Sequence, residues 1–294
     1  MAKFQDPSTY RAVLENLPTG VYFVDKDRRI VFWNPGAEKI TGFLRQEVVG
    51  RFCRENILVH CDEANALLCG AACPLTDTMS DGRPREVDIY LRHKDGYRVP
   101  VRVRTAPIRD QDGVIIGAAE DFEERAVAPD PNCRLINPSA EVCVEAATGL
   151  PAQDWMSARL DESLAQFTEH HVQFGILRIR LDQMNDWKGR GGQTVVNVMF
   201  RAVAQTLRSL LPPANLLGRW GEDGFLAIVA NADSNRLEKL GARLKKIVNC
   251  VAIKWWGDYT SIKVSLGSTA VNTGDTPQSV LQRAEKTFEQ SLRT

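Results

Sequence analysis

The stretch Arg219-Trp220-Gly221-Glu222-Asp223-Gly224-Phe225 decides the fold of the carboxyl-terminal half of the chain. It joins two apolar runs, Leu216–Trp220 and Phe225–Ala230, each of which has the length of a buried strand. Glycines and acidic residues between two such runs are typical of a tight turn. We therefore predict that the two runs pair as a β-hairpin around this turn.

The rest of the carboxyl-terminal half, residues 145–294, alternates between helical and strand patterns. Such alternation is typical of an α/β domain, in which helices cover a central sheet. The predicted elements are a strand at Gln173–Asp182, helices at Thr194–Leu211 and Asn235–Val251, a strand at Ser261–Ala270 and a last helix at Pro277–Leu292.

Residues 1–125 have a different pattern, in which strands precede and follow a stretch of irregular helices. An opening helical stretch ends at Pro18. The predicted strands are Gly20–Val24, Arg29–Trp33, Glu86–Arg92, Tyr97–Pro107 and Val114–Asp121. We predict an antiparallel sheet domain over 1–125, giving an α+β unit before the α/β one. A linker over 126–144 joins them, because several prolines interrupt this segment.

The composition is that of a globular chain. Hydrophobic residues make up 44% of the 294 residues and charged residues 25%, which are ordinary values for folded domains. The formal net charge is zero, so the basic excess of a nucleic-acid-binding protein is absent. No apolar run has the length of a transmembrane helix, and the start lacks the apolar stretch of a secretory signal. We expect a cytoplasmic protein that contacts neither membrane nor nucleic acid and whose seven cysteines are reduced.

Six landmarks in the carboxyl-terminal half follow the order found in GGDEF (diguanylate cyclase) domains. They are Ala147–Leu150, Arg180–Asp182, Gln193–Asn197, the Arg219–Phe225 stretch, Val264–Gly267 and Ala284–Phe288. The resemblance covers residues 145–294 and implies the α/β fold of nucleotidyl cyclases. Active members condense two GTP molecules into cyclic di-GMP, with one GTP bound by each subunit of a transient dimer. The resemblance thus implies a homodimer and a role in bacterial cyclic di-GMP signalling.

The amino-terminal half resembles the PAS fold. The matching stretches are Leu17–Asp25, Phe32–Asn34, Ala37–Gly42 and the turn Lys94–Gly96 with the two strands that follow it. PAS domains bind small ligands or cofactors inside the sheet, or they dimerise. The resemblance therefore implies that residues 1–125 are a sensor.

An active GGDEF domain depends on divalent cations that neutralise the phosphates of GTP. The resemblance implies that an aspartate on the first strand and an acid in the signature turn hold these cations. Arg180 occupies the position of that aspartate here. Asp223 retains the acid of the turn, whereas Gly224 replaces the next glutamate and Glu222 replaces a glycine. We expect that the magnesium site is lost and that Arg180 pairs with Asp223 or Glu222.

The positions that read guanine and hold the triphosphate differ as well. The resemblance implies an asparagine and an aspartate for the base, where this chain has Lys188 and Asn197. It also implies a lysine near the end of the last helix, where this chain has Leu292. No catalytic set is intact, so Gly221, Glu222, Asp223, Gly224 and Phe225 are expected to be a remnant of the signature.

These substitutions favour a regulatory protein in which a PAS sensor controls or presents an inactive GGDEF domain. Its expected partners are a second copy of the chain and an active cyclase or phosphodiesterase. Two alternatives stay open. One is a residual diguanylate cyclase that makes cyclic di-GMP from two GTP, and the other is a GTP-binding allosteric module without turnover.

Four of the seven cysteines gather in the sensor. They are Cys53, Cys61, Cys69 and Cys73, close in sequence to His60 and Asp62. Thiolates and imidazole are zinc ligands, and thiolates hold iron–sulfur clusters. Cys69 and Cys73 are four residues apart, so a helix would place both thiols on one face. The sequence leaves two interpretations open: a zinc or iron–sulfur site, or small buried residues that pack as hydrophobes.

Overall fold

The computed structural model describes residues 6–55, 57–70, 72–125, 144–255 and 257–291. These residues form two compact units that divide after residue 126, and each unit is described on its own. All but the last residue of the predicted linker, 126–144, lies outside the described residues. None of the helices in the described ranges has the length and apolar character that crossing a membrane requires.

The amino-terminal unit is built on a five-stranded antiparallel sheet with the strand order β2-β1-β5-β4-β3. Its elements are α1 (Pro7–Asn16), β1 (Gly20–Asp25), β2 (Ile30–Trp33), α2 (Pro35–Thr41), α3 (Arg45–Val48), α4 (Pro74–Asp81), β3 (Arg85–Arg92), β4 (Arg98–Arg109) and β5 (Ile115–Glu124). All five predicted strands are present, close to their predicted bounds. The α+β architecture expected for this half is confirmed.

Asn34 fixes the junction between β2 and α2. Its side-chain Oδ1 accepts hydrogen bonds from the backbone N–H groups of Val21 and Ala37, each at 2.8 Å. Pro35 follows in the first turn of α2, where its missing N–H is not needed. The helix ends at Gly42, which adopts the left-handed conformation with φ of 74°. Asn34 and Gly42 therefore set where this helix begins and ends, and Asn34 also ties its start to β1.

The core of the amino-terminal unit lies between the sheet and helices α2 to α4. Its largest side chains are the buried rings of Tyr22, Trp33 and Phe122. The centroid of the Tyr22 ring lies 5.5 Å from that of Trp33 and 6.3 Å from that of Phe122. Two polar side chains, His60 and Glu120, are buried beside this core.

The carboxyl-terminal unit has a four-stranded antiparallel sheet with the order β11-β6-β8-β7, and a separate hairpin of β9 and β10. Its elements are α5 (Gln153–His170), β6 (Phe174–Leu181), α6 (Met184–Leu210), β7 (Leu216–Trp220), β8 (Gly224–Ala230), α7 (Ser234–Val248), β9 (Ala252–Trp255), β10 (Asp258–Ser261), β11 (Val264–Ala270) and α8 (Pro277–Ser291). The predicted hairpin around Gly221–Asp223 is β7–β8.

Helices cover both faces of this sheet. On one face, Met156 of α5 and Ala284 of α8 join a buried cluster with Leu226 of β8. On the other face, the ring of Phe200 in α6 packs edge-on against Phe225 of β8, with centroids 5.5 Å apart. Helix α7 packs beside α6 and along β11 and β6. The signature turn at the end of β7 is therefore placed beside the start of α6.

Four sequence expectations about local structure were wrong. Helix α5, Gln153–His170, lies where no element was predicted. Helix α6 begins at Met184, well before the predicted Thr194, because a kink at Gly192 joins two helical segments. The glycines at 189, 191 and 192 lower helix propensity, so the sequence pattern did not predict the first segment. The hairpin β9–β10 precedes β11 where no strands were predicted. Helix α4 begins only at Pro74, with Cys73 as its N-cap residue, so Cys69 and Cys73 do not share a helix face.

Candidate functional site

The signature turn joins β7 to β8 through a glycine in the left-handed conformation. Gly221 has φ of 64°, which favours glycine over any other residue. Its backbone N–H donates to the side-chain oxygen of Gln153 at the start of α5, at 2.8 Å. The backbone N–H of Leu181, at the end of β6, donates to the carbonyl of Asp223 at 2.8 Å. The turn is thus tied to both neighbouring elements, and Glu222 is exposed at its tip.

Asp223 pairs with Arg178, not with Arg180. The Nη2 of Arg178 lies 2.5 Å from Oδ1 of Asp223. The Nη1 of Arg178 donates to the carbonyl of Ile179 at 2.8 Å and to that of Phe225 at 3.3 Å. The Arg178 side chain is only 8% exposed, whereas that of Asp223 is 41% exposed. The remaining acid of the signature is therefore held in a charge-assisted hydrogen bond from a buried guanidinium.

Arg180 does not make the ion pair that the sequence led us to expect. Its guanidinium carbon lies 5.1 Å from the centroid of the Phe288 ring, on α8. Residues two apart on a strand point to the same face, so Arg178 and Arg180 share a face of β6. Arg178 lies opposite Leu226 in register, and Arg180 lies opposite Gly224. The expected pairing was therefore wrong: the arginine that pairs with Asp223 is Arg178, two residues before Arg180 on the same strand.

Gly224 has no room for a side chain. A Cβ atom built on this residue would fall against Nη1 of Arg178 and against the carbonyl oxygen of Ile179, closer than real Cβ atoms approach other atoms. The family resemblance implies a glutamate at this position. In this chain, the carbonyl group of Ile179 and the guanidinium of Arg178 occupy the space next to this residue.

Arg219, the first residue of the quoted stretch, is held between aromatic rings. Its guanidinium carbon lies 3.7 Å from the centroid of the Phe200 ring and 5.4 Å from that of Phe225. Its Nε lies 3.9 Å from a carboxylate oxygen of Glu145. Burial lowers the pKa of Arg219, although Glu145 and Asp223 oppose this effect. Phe225 of the signature is fully buried, so its role is to support Arg219 and the sheet.

A cleft of about 340 Å³ lies between the start of α6 and the signature turn. Its lining includes Lys188, Gln193, Arg219, Glu222 and Asp223. The structure therefore brings Lys188 to the turn, as the expected nucleotide site requires. Two cations and two acids line the cleft, so its field does not favour a polyphosphate as a uniformly basic cleft would.

Asn197, the other residue expected at the guanine, is not among the residues that line this cleft. Its Oδ1 accepts a hydrogen bond from Nε2 of Gln193 at 2.9 Å. The side-chain oxygen that was expected to reach a base thus has a partner within α6. Leu292, at the expected phosphate lysine, lies outside the described residues.

The sensor contains a second site, a small cavity of about 10 Å³ that we name the thiol cavity. Its lining residues are Tyr22, Arg28, Cys53, Arg54, Leu58, His60, Cys69, Cys73 and Glu120. Three of the four clustered cysteines and His60 therefore converge on one space. Cys61 is buried, but it is not among the lining residues.

Burial sets the protonation of the groups in the thiol cavity. It raises the pKa of Cys53 to about 12 and that of Cys69 to about 11. It lowers the pKa of His60 to about 4, and it raises the pKa of Glu120 to about 8 against a hydrogen bond from Tyr22. Near neutral pH the two thiols and the imidazole are therefore uncharged, and the Glu120 carboxyl is mostly protonated. In the described residues, no three His, Cys, Asp or Glu side chains are grouped so that they could already hold a metal ion.

Sequence reasoning missed Arg178, Tyr22 and Glu120. Arg178 carried a usable signal, because a charged residue among the apolar residues of a buried strand needs a partner. Glu120 carried the same signal on β5. Tyr22 carried none, since a tyrosine in a strand is most often a core residue.

Two family models match the chain. The model described as "Diguanylate cyclase, GGDEF domain" matches residues 143–294, just over half of the chain. The chain belongs to the GGDEF family. The model described as "PAS fold" matches residues 8–122, so this GGDEF protein carries a PAS domain before its GGDEF domain. Both resemblances seen in the sequence are confirmed.

Curated relatives of this GGDEF protein are diguanylate cyclases. The protein named probable diguanylate cyclase DgcE, from Escherichia coli strain K12, is 22% identical over 275 residues, which cover 92% of this chain and 24% of DgcE. Diguanylate cyclase DgcP from Pseudomonas aeruginosa is 22% identical over 146 residues, which cover 50% of this chain and 22% of DgcP. This chain thus spans about a quarter of the length of these two relatives.

Among solved structures, similar chains also contain GGDEF domains. Diguanylate cyclase SiaD from Pseudomonas aeruginosa, in complex with its activator SiaC, is 21% identical with a TM-score of 0.49, covering 51% of this chain and 58% of SiaD. The GGDEF domain of DgcB from Caulobacter crescentus, in complex with c-di-GMP, is 19% identical with a TM-score of 0.48, covering 52% of this chain and 92% of that domain.

Proposed function

We propose that this protein is a PAS-controlled component of cyclic di-GMP signalling whose GGDEF domain does not turn over GTP. The observation that carries the proposal is the pair between Arg178 and Asp223. An acid that could face a metal ion is neutralised by a buried cation. The domain then acts by contact with a partner, under the control of the sensor.

Magnesium requires oxygen ligands in near-octahedral geometry. Around the signature turn, Arg180 brings a cation and Gly224 brings no side chain to positions where the family pattern has acids. Removing one preorganised electrostatic contact costs roughly 10²–10³ in rate. The losses do not multiply cleanly when residues act as a unit. Two missing acids and a neutralised third nevertheless leave the signature turn without the carboxylate ligands that a magnesium ion requires.

A second candidate function is nucleotide binding without turnover. The observation that favours it is the cleft beside the turn, where Lys188 and Arg219 both line one space. Ammonium and guanidinium groups are the usual partners of phosphate oxygens. Glu222 and Asp223 line the same space and repel a polyphosphate, so this candidate ranks second.

Purified full-length chain with GTP and magnesium separates these functions from residual cyclase activity. We expect no cyclic di-GMP by chromatography, beside an active diguanylate cyclase in the same buffer as the positive control. Product that disappears in the Asp223→Ala variant would establish residual catalysis and overturn the proposal. The assay is run with and without zinc and reductant, so that inactivity caused by an empty sensor is not mistaken for inactivity of the GGDEF domain itself.

Calorimetric titration with GTP addresses the second candidate in the same preparations. Saturable binding that falls at least about tenfold in Lys188→Gln would assign the cleft as a nucleotide site. The matched control is Lys254→Gln, because Lys254 is an exposed lysine on β9 and is not among the residues that line the cleft. Absence of binding, or equal losses in both variants, would remove this candidate.

The proposed partners are a second copy of the chain and an active cyclase or phosphodiesterase. Light scattering coupled to gel filtration measures self-association directly. Adding the chain to an active diguanylate cyclase tests the other role, and we expect a change in its rate of cyclic di-GMP formation. A monomer that alters neither a cyclase nor a phosphodiesterase would contradict the proposed mode of action.

A further inference from the structure

We propose that the thiol cavity binds a single thiophilic divalent ion such as Zn²⁺, held by the Sγ atoms of Cys53, Cys69 and Cys73 and by Nε2 of His60. Three sulfurs and one imidazole nitrogen are a common tetrahedral donor set for zinc. The inference rests on the sensor role proposed above and gives that sensor a class of ligand. It does not depend on whether the GGDEF domain is active.

Two buried polar atoms in the cavity lack a hydrogen bond. Nε2 of His60 and Oε1 of Glu120 lie 3.7 Å apart, and neither makes a hydrogen bond in the structure. His60 is 5% exposed and Glu120 is 2% exposed, so water does not reach them from outside. Such an atom has lost its hydration without gaining a hydrogen bond, which is unfavourable. An ion bound to the imidazole would remove this penalty for Nε2 of His60.

The volume of the cavity fits one ion and not a cluster. About 10 Å³ is close to the least space that holds one water molecule or one ion of similar size. Iron–sulfur clusters are held most often by four cysteine thiolates, and only three cysteines line this space. Of the two metal sites expected from the sequence, the geometry thus favours zinc over an iron–sulfur cluster.

The charges around the cavity suit three thiolates and a divalent cation. Binding releases the three thiol protons to solvent, so the ion and its sulfur ligands together carry one negative charge. Arg28 and Arg54 line the same cavity. Nearby guanidinium groups therefore stabilise the ion-bound state more than the empty one.

The four proposed ligands must move closer together to bind the ion, and their backbone positions allow this. Cys53 and Cys69 lie in turns, His60 lies in a loop, and Cys73 precedes the first residue of α4. None of them lies within a strand or a helix, whose hydrogen-bond ladders would resist a shift. Rearrangement of the Cys69 turn on binding would connect the ion to the surface of the sensor.

Cobalt titration of the full-length chain, stripped with a chelator under reducing conditions, tests the donor set. We expect saturation at one Co²⁺ per chain, with sulfur-to-cobalt charge-transfer absorption and the ligand-field bands of a tetrahedral site. Zn²⁺ should displace the cobalt and raise the temperature of the sensor's unfolding transition. A spectrum typical of cobalt bound by oxygen ligands, or binding that does not saturate near one Co²⁺ per chain, would overturn the proposal.

Variants identify the ligands. Cys73→Ser and His60→Gln should each lower the affinity for Zn²⁺ by at least about tenfold. Cys61→Ser is the matched control in the same unit, and Cys250→Ser is the control in the GGDEF domain; both should bind as the parent chain does. Equal losses in Cys61→Ser and Cys73→Ser would contradict the assignment. If Cys73→Ser fails to fold by circular dichroism, the intensity of the charge-transfer band, which counts thiolates per cobalt, decides instead.

These readouts are independent of turnover. A chain that binds zinc but forms cyclic di-GMP would refute only the proposed inactivity. A chain that binds no ion and forms no product would refute only the thiol-cavity assignment.

Discussion

The Nη1 atom of Arg178 lies 2.5 Å from the point that a Cβ atom on Gly224 would occupy. Real Cβ atoms essentially never come within 3.0 Å of another heavy atom. Because Arg178 is buried and hydrogen-bonded to two carbonyl groups, its guanidinium cannot swing aside without losing those bonds. The carbonyl oxygen of Ile179 lies closer still to the same point. The identity of residue 224 is therefore coupled both to the pairing of β6 with β8 and to the placement of Arg178.

Substitution of Gly224 by alanine tests this coupling. We expect Gly224→Ala to lower the free energy of unfolding of the GGDEF domain by about 1–3 kcal/mol, because the added methyl overfills the strand pair. Urea unfolding monitored by tryptophan fluorescence measures the change. Gly189→Ala is the control, since Gly189 is helical and a Cβ there meets nothing within 4 Å. It should be neutral or slightly stabilising, and equal losses in both variants would argue against a specific clash.

Removal of the Asp223 carboxylate should destabilise the GGDEF domain. Asp223→Ala leaves the buried Arg178 without its only acidic partner at hydrogen-bond distance among the described residues. We expect a loss of about 2 kcal/mol, below the usual cost for a fully buried pair because Asp223 is partly solvated. The neighbouring variant Glu222→Ala changes an exposed side chain and should alter stability by less than about 0.5 kcal/mol. Similar effects in both would mean that the ion pair contributes little.

The ion pair between Asp275 and Arg283 should give the GGDEF domain an acid-sensitive stability. Hydrogen bonds from Arg283 lower the pKa of Asp275 from 3.8 to about 2, and its side chain is 8% exposed. A depressed folded-state pKa stabilises the native state above the unfolded-state pKa, and the contribution fades as the pH falls from about 4 through about 2.

Asp275→Asn should therefore cost about 1–2 kcal/mol at pH 7, with the difference from the parent chain shrinking towards pH 2. Chemical unfolding of both proteins at pH 7, 4 and 2.5 measures this convergence. Asp258→Asn, at an exposed position on β10, is the control and should show little difference at any of these values. A constant difference across the series would exclude the ion pair as its source.

Gly192 offers a test of backbone strain without a clash. Its φ of 63° and ψ of −160° fall in a region open almost only to glycine, yet a Cβ there would meet nothing within 4 Å. Gly192→Ala should cost about 1–3 kcal/mol for conformational reasons alone. The Gly189→Ala variant again serves as the comparison, because it lies in the same helix. A neutral Gly192→Ala would mean that α6 is continuous at this point.

Much of the fold could be predicted from the sequence because local signals agree with the tertiary structure. The alternating runs before and after Lys94–Gly96 became β3 and β4. The apolar runs around Gly221–Asp223 became β7 and β8. In such segments, turn residues and hydrophobic period specify the same hairpin. The first segment of α6 was missed because Gly189 and Gly191 lower helix propensity, which contacts with the rest of the unit override.

The candidate sites could be predicted only in part. The substitutions in the signature are visible in the sequence, but the partner of Asp223 is not. Arg178 and Arg180 lie two apart on a strand, so pattern alone gives both the same orientation. The register of β6 against β8 even puts Arg180 opposite Gly224, so only the side-chain contact shows that Arg178 is the arginine that reaches Asp223. In the sensor, the cysteine spacing predicted a cluster, but the exclusion of Cys61 depends on how the chain folds between β2 and α4.

The packing at the hairpin limits which side chains position 224 can accept. A larger residue there meets the carbonyl oxygen of Ile179 and Nη1 of Arg178, whereas a change that removes Arg178 breaks a buried pair. Selection for a stably folded domain is therefore enough to retain glycine at 224 and arginine at 178, whether or not the hairpin takes part in a reaction.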